Sequence, residues 1–276
     1  QNDTENITRA LQAKGNALTN KGDLSQAIKV YTEGVDLAKE INDIEDLGGF
    51  YISIANVYSV LDNRSNTIFY YKKAIEVLKN TDDKLLYTTA IENLGDEYNL
   101  NMAQPDLALY YFEESGKLWE ELGDKRGLAF NIGNKGLAYA QLKRTVEAEF
   151  NINKAILLLE ELGDYYAISV YLTYMSDIYL EKGDYPAALS YAVKSLDIAK
   201  KYGLKDQIAD AYLKLSELNE YNGDIKPSFQ YYKNYIIIIR TIDRKYLCNF
   251  ATVDKIFLSI LQGKKMAPPG GVLPTP

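Results

Sequence analysis

The chain of 276 residues contains no histidine and a single cysteine, Cys248. The absence of histidine removes the usual general base of hydrolases and the commonest zinc ligand. One cysteine cannot form an internal disulfide or a thiolate pair for a metal, and we expect Cys248 to be a buried structural thiol. The sequence also has no glycine-rich phosphate loop and no Gly-x-Ser-x-Gly motif. It therefore predicts a protein that is not an enzyme and that carries no metal or cofactor.

Basic patches and long apolar runs are also missing. The net charge is −7 and the isoelectric point is about 4.9, which disfavours binding to nucleic acid. No stretch reaches the roughly 18 consecutive apolar residues of a membrane span, so we expect membrane attachment only through a segment absent from this chain. If Gln1 follows a cleaved signal peptide, we expect an exported or periplasmic protein, and otherwise a cytoplasmic one.

The feature that is present is an internal repeat of 40 residues. "GDLSQAIKVYTEGVDL", which begins at Gly22, resembles "GDYPAALSYAVKSLDI", which begins at Gly183. A small residue, followed three positions later by tyrosine or another large residue, marks each copy. These marker residues are Gly15, Ala55, Gly95, Gly136, Ser176 and Ser216. Only the interval from Gly95 to Gly136 is 41, which matches one extra residue within residues 99–106.

Each repeat is predicted to form two helices joined by tight turns. Apolar residues recur at steps of three and four, which is the period of a helix and not of a strand. Turns such as Ile41-Asn42-Asp43 and Leu122-Gly123-Asp124 supply a left-handed C-terminal cap, and the aspartate caps the next helix. Gly22-Asp23 and Gly183-Asp184 are expected to do the same inside the repeat.

The small residues predict how the two helices of a repeat meet. Glycine or alanine lets the backbones approach, and a large residue four positions after the small residue of the second helix fills the neighbouring gap. Ala27/Tyr31 and Ala108/Phe112 are examples. Because so short a helix pair cannot bury its apolar face alone, each pair must stack on the next one.

This pattern of small-x-x-Tyr followed by Ala-x-x-x-Tyr/Phe-x-x-Ala resembles the tetratricopeptide repeat. The 40-residue unit resembles the longer variant found in kinesin-light-chain-like proteins and in many bacterial signalling and sensor proteins. The resemblance implies an all-α fold, a right-handed α-α superhelix (solenoid) of about six helix pairs, over residues 5–240. Local departures at Gly34, Thr67, Asn219 and Tyr235 weaken individual copies, chiefly the last one.

Two further segments follow the repeats. Residues 241–263 are predicted to form an amphipathic helix that caps the open end of the solenoid. The alternative is a connector that begins a coiled coil leading to an effector. Residues 264–276, rich in proline and glycine, are predicted to form an extended tail.

The resemblance also implies where a ligand binds, because the first helices of such repeats line a concave groove. Asparagine side chains carry both a donor and acceptors, and the resembling families use such asparagines to hold the backbone of an extended peptide. Acidic residues in the C-terminal half of the groove would attract a peptide with lysine or arginine. The predicted groove residues are Asn16, Asn56, Asn93, Asp96, Asn134, Tyr174, Asp177, Glu181 and Glu217.

The sequence thus favours a non-enzymatic scaffold that binds a protein or peptide, with homodimerisation left open. The lysine and asparagine clamp by which some family members hold a C-terminal carboxylate is not evident. Gln12, Ile52, Glu92 and Gly133 stand where its lysines would be needed. The alternative function is the sensor region of a bacterial histidine kinase or nucleotide cyclase.

Overall fold

A computed structural model describes residues 2–242, and this part of the chain contains twelve α-helices, one π-helix and no strand. The all-α prediction is therefore confirmed. The predictions for Cys248, for the tail and for all but the first two residues of the 241–263 helix lie outside the described residues. No helix within the described range is long and apolar enough to cross a membrane.

The described part of the chain divides into two compact units that meet between residues 158 and 159, within α8. The helices up to the division are α1 (Asn2–Lys21), α2 (Leu24–Glu40), α3 (Ile44–Val60), α4 (Arg64–Leu78), α5 (Lys84–Asp96), α6 (Pro105–Leu122), α7 (Lys125–Gln141) and α8 (Thr145–Leu162). The second unit continues with α9 (Tyr165–Glu181), α10 (Tyr185–Lys201), α11 (Lys205–Tyr221) and α12 (Ile225–Ile242).

Helices that are consecutive in the chain pack against each other. In the first unit this holds from α1 through to α7, and in the second unit from α9 through to α12. The first helices of neighbouring repeats also touch, α1 with α3, α3 with α5, and α9 with α11. Within each unit the first helices therefore form one layer and the second helices another, as a stacked repeat requires.

Aspartates at helix starts fix most of the turns. The carboxylates of Asp43, Asp83 and Asp124 each accept a hydrogen bond at 2.9 Å from the backbone N–H three residues later. Asn42 and Gly123 precede two of these aspartates and have φ of 55° and 66°, which confirms the predicted left-handed caps. The prediction for Asp23 was wrong. Its side chain makes no capping bond and instead lies 3.6 Å from the Lys21 ammonium group.

The marker glycines lie directly against large side chains of the second helix. A Cβ atom added to Gly95 would stand 2.7 Å from the ring of Phe112, and one added to Gly136 would stand 2.7 Å from Ile152. Real Cβ atoms are essentially never found so close to a neighbour. The close approach predicted from the spacing of small and large residues is therefore confirmed.

The tyrosine three residues after the marker has a regular partner. Tyr58 stacks on Tyr70 with ring centroids 5.6 Å apart, and Tyr98 stacks on Tyr111 at 5.5 Å. In the second unit Tyr179 stacks on Tyr191 at 5.2 Å. Stacked aromatic pairs stabilise a structure beyond the area that they bury, so these three repeats are held together near the turn as well as at the crossing.

The extra residue of the third repeat is accommodated as a π-helix, Glu97–Asn101. This range overlaps the predicted residues 99–106 only in part, because the insertion widens the end of the first helix and not only the turn after it. Single π-helical turns are the usual way in which an α-helix accommodates one inserted residue. The Gln141 side chain donates to the Asn99 carbonyl at 2.9 Å, so the neighbouring repeat holds the irregular turn in place.

Adjacent glycines in α3 provide a direct test of the close-approach principle. A Cβ at Gly48 would overlap the buried Leu78 side chain, whereas a Cβ at Gly49 would meet nothing within 4 Å. We expect Gly48→Ala to lower the free energy of unfolding by about 1–3 kcal/mol through overpacking. Gly49→Ala should raise it by about 0.5–1 kcal/mol through helix propensity.

The measurement is urea unfolding of both variants followed by circular dichroism. Equal effects of the two substitutions would contradict the account, because the residues share a helix and differ only in what lies beside them.

Candidate ligand-binding pocket

A pocket of about 310 Å³ opens between α5 and α7 of the first unit. We name it the α5–α7 pocket. Its lining combines carboxylates, amides, aromatic rings and one cation from α5, α6, α7 and the turn before α7. The lining residues are Thr89, Glu92, Asn93, Asp96, Trp119, Asp124, Arg126, Gly127, Phe130 and Asn134.

The floor of the pocket contains a buried carboxylate, Glu92, which is 7% exposed. Its Oε2 accepts hydrogen bonds from Ser115 Oγ at 2.6 Å and from Asn131 Nδ2 at 2.7 Å, and a longer one from Trp119 Nε1 at 3.4 Å. Its Oε1 accepts from Asn134 Nδ2 at 3.2 Å. A buried carboxylate requires such donors, because burying an ion without partners costs on the order of several kcal/mol.

The donors around Glu92 are themselves held in place. Asn131 Nδ2 also donates to the Phe112 carbonyl at 2.8 Å. A Cβ at Gly116 would stand 2.6 Å from Asn131 Oδ1, so the glycine makes room for the amide. Glu92 is therefore part of a fixed polar cluster inside the repeat core.

Asp96 lies one helical turn after Glu92 and is half-buried at the same pocket. Burial raises the pKa of Asp96 well above its usual value, and the neighbouring charge of Glu92 raises it further. Burial also raises the pKa of Glu92, although its hydrogen-bond donors oppose the shift. The two carboxyl groups are thus costly to ionise together, and a cation in the pocket would relieve that cost.

Aromatic side chains form another part of the lining. The Trp119 indole is 6% exposed and packs on Gly127, where a Cβ would stand 2.5 Å from the ring. Phe130 of α7 is half-buried and also lines the pocket. Carboxylates and aromatic faces in one concavity suit a ligand group that is both cationic and flat or apolar.

Three of the nine predicted groove residues, Asn93, Asp96 and Asn134, meet in this pocket. Asn16 and Asn56 lie on α1 and α3 and are exposed. Their Oδ1 atoms accept hydrogen bonds from Tyr31 at 2.7 Å and from Tyr71 at 2.5 Å. The side-chain oxygens of these two asparagines are therefore used within their own repeats.

The other four predicted residues lie in the second unit. Lys214 Nζ binds Asp177 Oδ1 and Glu217 Oε2, each at 2.8 Å. Because one lysine serves both acids, the predicted acidity of this stretch is partly neutralised within the protein. Tyr174 is half-buried and Glu181 is exposed.

The Glu92 cluster is the feature that the sequence reasoning missed. The sequence shows Glu92 only as a position without a clamp lysine, and it does not distinguish Ser115, Trp119 and Asn131 from other residues. In "AIENL", Glu92 is followed directly by a second polar residue, Asn93, so the local sequence does not show which of the two is buried.

Comparisons with known proteins bear on the repeat family and on the fold. Tetratricopeptide repeat family models match residues 8–41 and residues 128–201. The chain therefore contains tetratricopeptide repeats, as its repeat pattern predicted. No curated protein matches its sequence.

Solved structures share the fold at low sequence identity. Aspartyl phosphate phosphatase F from Bacillus subtilis matches with a TM-score of 0.66 and 15% identity over 84% of this chain and 60% of its own. A Rap protein complexed with Competence and Sporulation Factor matches at 0.64 and 14%, over 93% and 74%. A signal-transduction ATPase with a tetratricopeptide repeat sensor from Pyrococcus horikoshii matches at 0.65 and 18%, over 91% and 38%. At these identities the likeness establishes the fold alone.

The role of Glu92 in the core can be tested by truncation. We expect Glu92→Ala to lower the free energy of unfolding by about 3 kcal/mol, because the buried donors of Ser115, Asn131 and Trp119 lose their acceptor. Glu92→Gln should cost less, since an amide oxygen can still accept while the charge is removed. Urea unfolding measures both, and Glu120→Ala at an exposed site is the control. A loss in Glu92→Ala no larger than in the control would contradict the cluster.

The carboxyl pair also predicts a pH dependence of stability. Because the folded-state pKa values of Glu92 and Asp96 are raised, their contribution favours the folded state at low pH and is lost as the pH rises through them. Asp96→Asn should flatten this loss in the window above the ordinary values of 4.5 and 3.8. Urea midpoints across that window compare the two proteins. Parallel curves would show that the pair is not coupled.

Proposed function

We propose that the protein is a non-enzymatic scaffold that binds a peptide or an extended segment of a partner protein along the first-helix layer of its repeats. The observation that carries this proposal is the α5–α7 pocket, where amide, carboxylate and aromatic groups from successive first helices converge. The complex of a Rap protein with Competence and Sporulation Factor supports it by showing that one protein of this fold binds a factor.

The non-enzymatic part of the proposal rests on the available chemistry. The chain has no histidine, and the described residues contain no group of three potential metal ligands. Glu92 is engaged by several hydrogen-bond donors, as expected for a group that holds structure. One protein of the same fold is named a phosphatase, so a phosphatase assay on the purified chain is the direct check.

The binding proposal is tested with a library of fluorescent extended peptides and polarisation as the readout. Peptides that bind the wild type should bind the Asn93→Ala/Asn134→Ala double variant at least about tenfold more weakly, because two pocket amides are lost. Asn153→Ala, at an exposed position of the second helix α8, is the matched control. Undiminished binding by the double variant, with its circular dichroism spectrum intact, would remove these amides from the ligand site.

A sensor region is the second candidate, and one observation favours it. The structure from Pyrococcus horikoshii is described as having a tetratricopeptide repeat sensor, and this chain matches only 38% of that longer protein. Under this candidate the repeats receive the signal and an effector domain such as a kinase or cyclase transmits it. The gene that encodes the chain decides the question, since a reading frame without an effector domain would exclude it.

A further inference from the structure

In the second unit, a lysine of one repeat neutralises an acidic side chain in the first helix of the preceding repeat. Asp177 stands one residue after the marker Ser176, and the ammonium group of Lys214 lies 2.8 Å from its carboxylate. Lys214 stands two residues before Ser216, the marker of the next repeat. An acid directly after one marker is therefore within reach of the residue two positions before the following marker.

Asp96 occupies the same register position as Asp177, directly after the marker Gly95. The residue that corresponds to Lys214 is Asn134, two positions before Gly136, and it carries no charge. Within the described part of the chain, the Asp96 carboxylate receives no hydrogen bond. The cation that the later repeat provides is thus missing at Asp96.

The charges of the pocket-lining residues also favour a cationic ligand group. Of its lining residues, Glu92, Asp96 and Asp124 are acidic, and Arg126 is the only basic one. Asp124 is engaged as the N-cap of α7. Every side chain that donates to Glu92 is neutral, so these hydrogen bonds hold the carboxylate without cancelling its charge.

We propose that the α5–α7 pocket binds the guanidinium group of an arginine side chain from the partner segment. This inference rests on the proposed function and specifies the chemistry of one anchor. The guanidinium takes the place that Lys214 fills in the second unit and contacts the Asp96 carboxylate. The pocket volume of about 310 Å³ is sufficient to hold one such side chain.

Two properties of the pocket favour arginine over lysine. A guanidinium group presents paired N–H donors that match a carboxylate, and its flat face stacks on aromatic rings. Asp96 offers the carboxylate, and the half-buried ring of Phe130 lies in the same lining. An ammonium group would use the charge but not the ring in this way.

The only tryptophan of the chain, Trp119, gives the pocket its own optical signal. The probe is Nα-acetyl-argininamide, titrated into the full chain at low salt while Trp119 fluorescence is recorded. We expect a saturable change, with Nα-acetyl-lysinamide binding about tenfold more weakly because it cannot stack in the same way. The uncharged isostere Nα-acetyl-citrullinamide should give no saturable change.

Three variants test the comparison between Asp96 and Asp177. Asn134→Lys places the lysine of the later repeat beside Asp96 and should abolish the response to argininamide. Asn153→Lys adds the same charge at an exposed position of α8 and should leave the response intact. Asp96→Asn removes the proposed partner and should weaken binding about tenfold or more. Thermal unfolding of each variant establishes that the fold is retained.

Equal responses to lysinamide or citrullinamide would overturn the arginine assignment, as would an unaffected response in Asn134→Lys. The inference and the proposed function fail in different ways. If library peptides bind in an Asn93- and Asn134-dependent manner but show no preference for arginine, the scaffold function stands and the arginine anchor is wrong. If argininamide binds as expected and no peptide does, the pocket chemistry stands and the scaffold function is wrong.

Discussion

The close approach of the two helices within each repeat is the constraint on which the rest of the structure depends. Gly95 and Gly136 have no side chain at the crossing, so Phe112 and Ile152 lie directly on the first helix. A larger residue at either glycine would push the helices apart and open the buried layer between them. Each helix pair buries the rest of its apolar surface against the next pair. A displacement of the helices at one crossing would therefore also disturb the packing of the next pair.

The third repeat departs from this regularity, and the departure lies beside the pocket. The π-helix begins at Glu97, directly after Asp96, and buries Glu97, Tyr98 and Asn99 in succession. Glu97 is bound there by Ser59 at 2.8 Å and by Arg64 at 3.2 Å, both from the preceding repeat. The helix that carries the pocket carboxylates is therefore fixed at its irregular end by both neighbours, since Gln141 holds it from the other side.

Polar side chains in the first-helix layer differ in whether the protein itself provides their hydrogen-bond or ion-pair partner. This difference distinguishes the side chains that hold the structure from those that are candidates for binding a ligand. Asn16 and Asn56 bond to a tyrosine of their own repeat, and Asp177 is neutralised by Lys214. Glu92 has a full set of donors, whereas Asp96 beside it has none among the described residues. A site that retains a carboxyl group without hydrogen-bond partners next to aromatic side chains is suited to a ligand in a way that the satisfied positions are not.

The sequence by itself determined the architecture. Spacing of small and large residues, helical periodicity and Gly-Asp turns are local signals, and each is read from residues within about forty positions of one another. They predicted the helix pairs, the crossings and most of the caps, and they brought Asn93, Asp96 and Asn134 into the predicted groove. Only the tertiary structure decided which polar residues are already satisfied. Asn131 reaches Glu92, and Lys214 reaches Asp177, from neighbouring repeats. Whether two side chains meet across a helix stack depends on rotamers and distances of a few ångströms, which the repeat period does not specify.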